Sequence, residues 1–166
     1  SRCCIMQDLK KRAKKIKLAA FDVDGVMTDG SLTFDENGNE LKTFNAKDGL
    51  GAVRLHEKGI ITCIITARDN PTVAHRAEII KIQELHQGSK NKIETLSKIM
   101  EKYNINFEEV AYIGDDLPDI CILEKAGLAA CPADAVDEVK KVVHLICTKN
   151  GGRGAVREFC DLIYNS

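Results

Sequence analysis

Short apolar runs alternate along this chain with segments whose apolar residues recur at helical spacing. Runs of small and β-branched residues that end at acidic residues or glycine are typical of buried strands. The predicted strands are 17–22, 60–66, 110–113, 127–131 and 142–147, and the predicted helices are 47–58, 71–82, 89–103 (capped by Ser89), 117–125 and 155–164. Strands that alternate with helices predict an α/β fold with a doubly wound parallel sheet.

One β-hairpin interrupts this alternation. Two short strand-like segments, 31–34 and 40–44, flank a polar turn that contains Asn37 and Gly38. An Asn-Gly pair between two such segments is a strong hairpin signal. We therefore predict a hairpin insertion after the first strand of the sheet.

The chain segments between the candidate site residues are too short to hold a cap domain. Between Asp24 and the helix at Lys47 only the hairpin fits, and the 25 residues between Thr66 and Lys92 hold one helix and a short strand. At 166 residues the chain has the length of one domain. We predict a single domain over 1–166 without a cap domain and therefore an open site.

Charge is balanced over the whole chain but divided within it. There are 24 basic and 25 acidic residues, yet the first 17 residues alone carry a net charge of +6. Residues 1–16 are interpreted as a basic leader, a solvated helix before the first strand, although such a run can also serve a membrane surface or nucleic acid. No apolar stretch approaches the roughly 18 residues of a membrane helix. Neither nucleic acid nor membrane is a predicted partner.

The seven cysteines show no metal-binding or redox spacing. No C-x-x-C pair occurs, and Cys63 and Cys147 lie inside apolar runs. A thiol in such a run behaves as a small buried apolar group. Reduced, buried thiols favour a cytoplasmic protein.

Carboxylates gather at the predicted strand ends. Asp22 and Asp24 follow the first strand, Thr66 ends the second, and Asp115 follows the third. In a parallel doubly wound sheet the carboxyl ends of the strands form the site, and residues two apart on an extended chain share a side. Carboxylates from two strands repel one another unless a cation lies among them. An all-oxygen donor set favours Mg²⁺.

The same residues satisfy the requirements of phosphoryl transfer. A carboxylate is a usable nucleophile towards phosphorus, while a hydroxyl such as Thr66 and a lysine such as Lys92 can hold the phosphoryl oxygens. Each feature alone is weak, because paired aspartates are common on surfaces and a helical lysine is usually solvated. Three successive strand ends and one helix start that all carry the required group are a much stronger indication.

With these residues in place, the chain resembles the haloacid dehalogenase (HAD) superfamily, and within it the 3-deoxy-D-manno-octulosonate 8-phosphate (KDO 8-phosphate) phosphatases. The similarity covers about residues 17–164. The segments that carry it are FDVDGVMTDG, FNAKDG, IITAR, QGSKNK, AYIGDDLPD and GGRGAVREFCDLI.

The resemblance implies a role for each residue at the strand ends. Asp22 is then the nucleophile that forms an aspartyl-phosphate, and Asp24 protonates the leaving alcohol and afterwards activates water. Asp22, the backbone carbonyl of Asp24, and Asp115 are the implied ligands of Mg²⁺. Thr66 and Lys92 hold the phosphoryl group, and the resemblance also implies that Asp116 and Asp119 keep the metal waters and Lys92 in place.

The implied substrate is a sugar-acid phosphate, most simply KDO 8-phosphate. Arg68 and Arg76 match arginines that bind the sugar acid in this family, and a guanidinium suits a carboxylate. A second implied contact is the loop made of Asn45, Ala46, Lys47, Asp48 and Gly49, with Asp24 and Lys92 completing the implied substrate-binding set. For Arg153 two roles stay open: a contact to a neighbouring subunit's site, or a plain turn before the last helix.

Capless relatives close their sites by assembling as homotetramers through the hairpins, which the resemblance implies here too. It also implies a cytoplasmic enzyme of lipopolysaccharide biosynthesis.

Three alternative functions are open: a phosphatase for the phosphate of a nine-carbon keto-sugar acid, a non-catalytic tetramerisation domain, and a phosphate-accepting signalling receiver. Arg68 disfavours the first, since relatives with that preference carry an acid there. The intact Asp22, Asp24, Lys92 and Asp115 disfavour the second, and a receiver carries its phosphorylated aspartate on a later strand.

Overall fold

A computed structural model describes residues 1–166 of the chain. The helices are α1 (Arg2–Lys14), α2 (Ala46–Glu57), α3 (Pro71–Ile79), α4 (Lys92–Tyr103), α5 (Ile120–Leu123), α6 (Asp137–Lys140) and α7 (Ala155–Tyr164). The strands are β1 (Leu18–Phe21), β2 (Thr33–Phe34), β3 (Glu40–Leu41), β4 (Ile61–Ile65), β5 (Glu84–His86), β6 (Val110–Ile113), β7 (Leu128–Cys131) and β8 (Leu145–Ile146). Short 3₁₀ turns at Phe107–Glu109 and Leu117–Asp119 complete the set.

The main sheet has six parallel strands in the order β5-β4-β1-β6-β7-β8. The central strand β1 pairs with β4 and β6, so that Leu18 lies beside both Ile61 and Val110. Alternate residues of β1 enter opposite cores: Ala19 and Phe21 face one apolar cluster, while Leu18 and Ala20 face the other. Helices therefore cover both faces, and the predicted doubly wound α/β fold is confirmed.

The carboxyl ends of β1, β4 and β6 lie side by side at one edge of this sheet. The insertion after β1 is the two-stranded hairpin of β2 and β3, whose turn is fastened by the Asp35 carboxylate, which accepts bonds from the amides of Asn37 and Asn39 at 2.9 Å each. No extra domain follows β1 or β4. The prediction of a capless core with a hairpin insertion is confirmed.

Several predicted boundaries are wrong. Asn91, not Ser89, caps α4, because its side chain accepts the amide of Glu94, whereas the Ser89 amide donates to the carbonyl of Thr66. The helix predicted over 117–125 is a 3₁₀ turn followed by the four-residue α5, and the strand predicted over 142–147 is only β8. Helix α3 ends at Ile79 instead of about 82.

The basic leader forms the helix α1, as predicted, but it is not wholly solvated, because one side of it packs on the body of the protein. Leu9 and Ala13 are buried in the core, and the Arg12 guanidinium donates to the carbonyl of Gly127 at 3.0 Å. The lysines of this helix lie on its exposed side. No helix of the structure combines the length and the apolar character needed to cross a membrane.

Candidate active site

A cavity of about 360 Å³ lies at the carboxyl ends of β1, β4 and β6. Eight of its twelve lining residues carry charged or polar side chains, and the walls bring together residues that are far apart in sequence. The lining residues are Asp22, Asp24, Gly25, Gly30, Thr66, Ala67, Arg68, Lys92, Asp115, Asp116, Pro118 and Asp119. Every strand-end residue that the sequence predicts as catalytic or metal-binding is therefore in one cavity.

Asp22 is the central carboxylate of this cavity. It follows β1 directly and is buried, with its amide bonded to the carbonyl of Ile113 at 3.1 Å. Its Oδ1 accepts the amide of Val23 at 2.8 Å and lies 3.1 Å from Nζ of Lys92. These contacts fix one oxygen of Asp22.

Asp119 holds Lys92 in the cavity, and its carboxylate accepts four hydrogen bonds. Its Oδ1 accepts from Nζ of Lys92 at 2.8 Å and from the hydroxyl of Tyr112 at 2.6 Å. Its Oδ2 accepts the amides of Asp115 and Asp116 at 3.0 and 3.3 Å. Both carboxylate oxygens of this fully buried side chain are thus occupied. The hydrogen bond from Tyr112 was not predicted from the sequence, since a strand tyrosine is ordinarily a core residue.

The acidic cluster has the electrostatics of a cation site. Carboxylate oxygens of Asp22, Asp115 and Asp119 lie within 4.8 Å of one another. Burial and the neighbouring carboxylate of Asp119 raise the pKa of Asp22 to about 6, against the opposing effect of Lys92. Burial and the charges of Asp22 and Asp119 raise the pKa of Asp115 to about 8. A divalent cation would remove this repulsion, and the all-oxygen set fits Mg²⁺.

Lys92 supplies the fixed positive charge of the site. Burial alone would lower its pKa, but the carboxylates of Asp22 and Asp119 outweigh burial and raise the pKa above its ordinary value. The side chain is therefore a permanent ammonium at physiological pH. Thr66 is also buried at the cavity wall, with its amide bonded to the carbonyl of His86 at 3.0 Å.

The loop after β1 is shaped around Asp115. Gly25 has φ +82°, and a β-carbon there would collide with the Asp115 carboxylate. On its other side the loop is supported by the glycine-rich turn before α7, where the Gly152 amide donates to the carbonyl of Val26 at 2.9 Å. A β-carbon on Gly151 would strike the Gly25 carbonyl. The turn thus serves as a backbone support for the cavity.

Two hairpin residues that the sequence reasoning missed approach the site from outside the cavity. Nζ of Lys42 lies 2.6 Å from Oδ1 of Asp24 and 3.1 Å from Oε1 of Glu40. The Glu40 carboxylate in turn accepts bidentate hydrogen bonds from the guanidinium of Arg68. Arg68 lies at the cavity wall, 3.6 Å from Oδ2 of Asp24. The only feature of the sequence that could have indicated these contacts is the spacing of Glu40 and Lys42, because residues two apart on an extended strand share a face.

The other residues implied to bind substrate do not line this cavity. Asn45 caps α2 by accepting the amides of Lys47 and Asp48, and the Arg76 guanidinium donates to the Asn45 carbonyl at 3.1 Å. Ala46 and Lys47 are exposed, and Gly49 packs closely against the Arg76 side chain. The loop and Arg76 thus contact each other beside the hairpin.

Asp48 faces away from the cavity, towards the last helix. Its Oδ1 accepts the amide of Arg157 at 2.9 Å, whereas its Oδ2 is buried without a partner. Burial raises its pKa above the ordinary value. Arg153 lies on the surface, 3.6 Å from the Asp29 carboxylate.

Comparison with known proteins agrees with this geometry. Residues 80–159 match the model of the haloacid dehalogenase-like hydrolase family. The 3-deoxy-D-manno-octulosonate 8-phosphate phosphatase of Escherichia coli K12 is 41% identical over 159 residues, covering 96% of this chain and 85% of the relative. The same enzyme from Moraxella catarrhalis, solved in complex with magnesium ion, phosphate ion and KDO, superposes with a TM-score of 0.94 at 40% identity, covering 96% of this chain and 92% of that one.

A further solved structure, from Legionella pneumophila and described as a HAD superfamily hydrolase of subfamily III A, has a TM-score of 0.96 at 41% identity, with 99% of this chain and 90% of that chain covered. The fold, the carboxylate cavity and these matches define a haloacid dehalogenase-like hydrolase. Identity of this level over nearly the whole length narrows the class further. The chain belongs to the family of 3-deoxy-D-manno-octulosonate 8-phosphate phosphatases.

Proposed function

We propose that this protein is a Mg²⁺-dependent phosphatase that removes the phosphate from KDO 8-phosphate through an aspartyl-phosphate intermediate. The observation that carries the proposal is the joint placement of Asp22, Lys92 and Asp115 in one cavity. The relative from Moraxella catarrhalis, which binds magnesium, phosphate and KDO, supports the choice of cation and substrate.

In the proposed reaction Asp22 attacks phosphorus with a carboxylate oxygen while the bond to the sugar oxygen breaks. Asp24 gives its proton to that oxygen, then takes a proton from the water that hydrolyses the aspartyl-phosphate. Lys92 and Thr66 hold the phosphoryl oxygens, and Asp119 keeps Lys92 pointed into the cavity. The second half of the reaction restores free Asp22 and releases inorganic phosphate.

Asp22, Asp115 and the backbone carbonyl of Asp24 are the proposed ligands of Mg²⁺. When bound, Mg²⁺ offsets the negative charge of the carboxylates and of the phosphoryl oxygens, so that an anionic nucleophile can approach an anionic substrate. Asp116, which is exposed at the rim and accepts the amide of Leu117, is proposed to hold a metal-bound water.

For the sugar acid we propose Arg68 as the main carboxylate contact, since it is the arginine at the cavity wall. The loop Asn45, Ala46, Lys47, Asp48 and Gly49, with Arg76 against it, lies outside the cavity of its own chain. We propose that it contacts substrate in an assembled homotetramer, where a neighbouring subunit covers each open site. In this scheme the enzyme works in the cytoplasm, in lipopolysaccharide biosynthesis.

Phosphate release from a panel of sugar-acid phosphates tests the proposal. The panel contains KDO 8-phosphate, a nine-carbon keto-sugar acid phosphate and a hexose phosphate, each assayed with Mg²⁺ and with EDTA. We expect Mg²⁺-dependent turnover that is fastest on KDO 8-phosphate, and none with Asp22→Asn. No release from any member would overturn the phosphatase proposal, whereas preference for the hexose phosphate would overturn only the substrate.

A further inference from the structure

A buried lysine from the hairpin contacts the proposed acid–base residue from outside the cavity. The Lys42 side chain is only 3% exposed, and its Nζ is 2.6 Å from Oδ1 of Asp24. Lys42 does not line the cavity, whereas Asp24 does. The ammonium therefore contacts the carboxylate from outside the cavity.

Asp24 is held from two sides. Lys42 contacts Oδ1, and Arg68 lies 3.6 Å from Oδ2. Glu40 binds both cations, with Oε1 accepting from Lys42 at 3.1 Å and both oxygens engaging Arg68. The four side chains thus form one closed network that joins the hairpin to the loop after β1 and the loop after β4.

Charge-assisted bonds of this kind are short, and a network restricts the rotation of each member. Without them the Asp24 side chain, which is 27% exposed, could turn towards solvent. Proton transfer to a leaving oxygen needs a donor within hydrogen-bond reach, so the orientation of Asp24 sets the rate of that step.

We propose that Lys42 is a positioning residue for catalysis: it fixes the carboxylate of Asp24 in the orientation that serves the leaving sugar oxygen, and Glu40 holds Lys42 and Arg68 in register for this task. The inference rests on the proposed function, because it assigns a role to Asp24 in that reaction. It makes the hairpin a part of the catalytic apparatus in addition to any role in assembly.

The test compares two leaving groups. An alkyl sugar phosphate needs a proton on its leaving oxygen, whereas 4-nitrophenyl phosphate releases a stable anion without one. For Lys42→Met we expect kcat on KDO 8-phosphate to fall roughly 10- to 100-fold, part of the typical contribution of general acid catalysis. We expect KM to be nearly unchanged and the single-turnover release of nitrophenolate to match the wild type. Lys42→Arg, which keeps the charge, should recover part of the loss.

Lys17→Met is the matched control, since it removes an ion pair of the same length, 2.6 Å to Glu109, at the opposite end of β1. It should leave both reactions unchanged. Equal losses on both substrates, or no loss on either, would overturn the inference. Thermal unfolding checks the fold, and Lys42→Gln replaces the Met variant in the same comparison if that variant does not fold. A wild type inactive on KDO 8-phosphate is a failure of the proposed function instead, and the comparison then uses any alkyl phosphate that the wild type hydrolyses.

Discussion

The carboxylate of Asp48 on α2 accepts the backbone amide of Arg157 on α7 at 2.9 Å, across 109 positions of sequence. Helix α7 begins after Gly154, which has no side chain to cap it. Asp48 therefore supplies, from another helix, the acceptor that an N-cap residue normally provides. This bond joins FNAKDG and GGRGAVREFCDLI, two of the segments that carry the resemblance to the family.

We predict that Asp48→Ala lowers the free energy of unfolding by about 1–2 kcal/mol, the usual loss for a missing cap. Asp48→Asn should cost much less, because it keeps an acceptor and removes a charge whose second oxygen is buried without a partner. Urea unfolding measures both. Glu57→Ala, an exposed change on the same helix, is the control. Equal losses for the Ala and Asn variants would contradict the capping role.

The sequence was sufficient to predict which residues meet at the edge of the sheet, for a topological reason. Strands that alternate with helices form a parallel sheet, and a parallel sheet brings its carboxyl ends to one edge. Asp22 and Thr66 end predicted strands and Asp115 lies two residues after one, so their meeting did not depend on side-chain packing. Lys92 was predicted because phosphoryl transfer requires a fixed cation and because the family resemblance implies a lysine at this position.

The contacts that the sequence did not reveal are tertiary. The direction in which the hairpin folds over the sheet edge decides that Glu40 and Lys42 reach Asp24, and no local pattern encodes that direction. The partner of Asp48 is equally remote in sequence. The length of the edge strand β8 was overestimated. An apolar run at the edge of a sheet pairs on one side only, here with β7, so only two of its residues form the strand.

Gly25→Ala should damage the metal site specifically. A β-carbon there would collide with the Asp115 carboxylate, and φ +82° is strained for alanine. Gly59→Ala is the matched control, since Gly59 has φ +87° but no atom within 4 Å of an added β-carbon. Both variants should lose about 1–2 kcal/mol of stability from backbone strain. Only Gly25→Ala should also weaken Mg²⁺ affinity, by roughly 10- to 100-fold. Calorimetric titration with Mg²⁺ measures this, and equal affinities would refute the steric explanation.

Without Mg²⁺ the protein should become less stable as the pH rises from about 4 to about 8. In the unfolded chain the carboxyls ionise near their ordinary pKa of 3.8, but in the folded protein Asp22 keeps its proton to about pH 6 and Asp115 to about pH 8. The unfolded state then binds fewer protons across this range, so the free energy of unfolding falls with rising pH.

Adding Mg²⁺ should reduce this pH dependence and release protons at pH 7, because the cation binds the ionised carboxylates. Melting temperatures from pH 4 to 8, with EDTA and with Mg²⁺, measure the first effect, and calorimetry in buffers of different ionisation enthalpy measures the second. Asp115→Asn should flatten the EDTA profile. A profile in Asp115→Asn that is as steep as in the wild type would assign the effect to other groups.

His144 should produce the opposite pH dependence in the Mg²⁺-loaded protein. Its Nδ1 accepts the amide of Ala129 at 2.9 Å, which requires the neutral ring with its proton on Nε2. Burial, aided by the charge of Arg12, lowers the pKa of His144 below its ordinary 6.5. The unfolded state therefore takes up a proton first, and stability present above pH 6.5 is lost as the pH falls below it. His144→Gln should show a smaller loss between pH 7 and 5 than the wild type, and the exposed His75→Gln should not.

The hairpin should be the assembly surface. Leu32, Phe34 and Leu41 are each more than half exposed, which is unusual for three large apolar side chains on one small element. If hairpins meet in a homotetramer, a charge at Leu41 must be buried in the interface, so Leu41→Glu should yield monomers by sedimentation and raise KM through the loss of the neighbouring subunit's cover. Ile146→Glu, on the edge strand β8, is the control with a similarly exposed side chain and should leave the oligomeric state unchanged. A wild type that is monomeric in solution at full activity would refute the assembly.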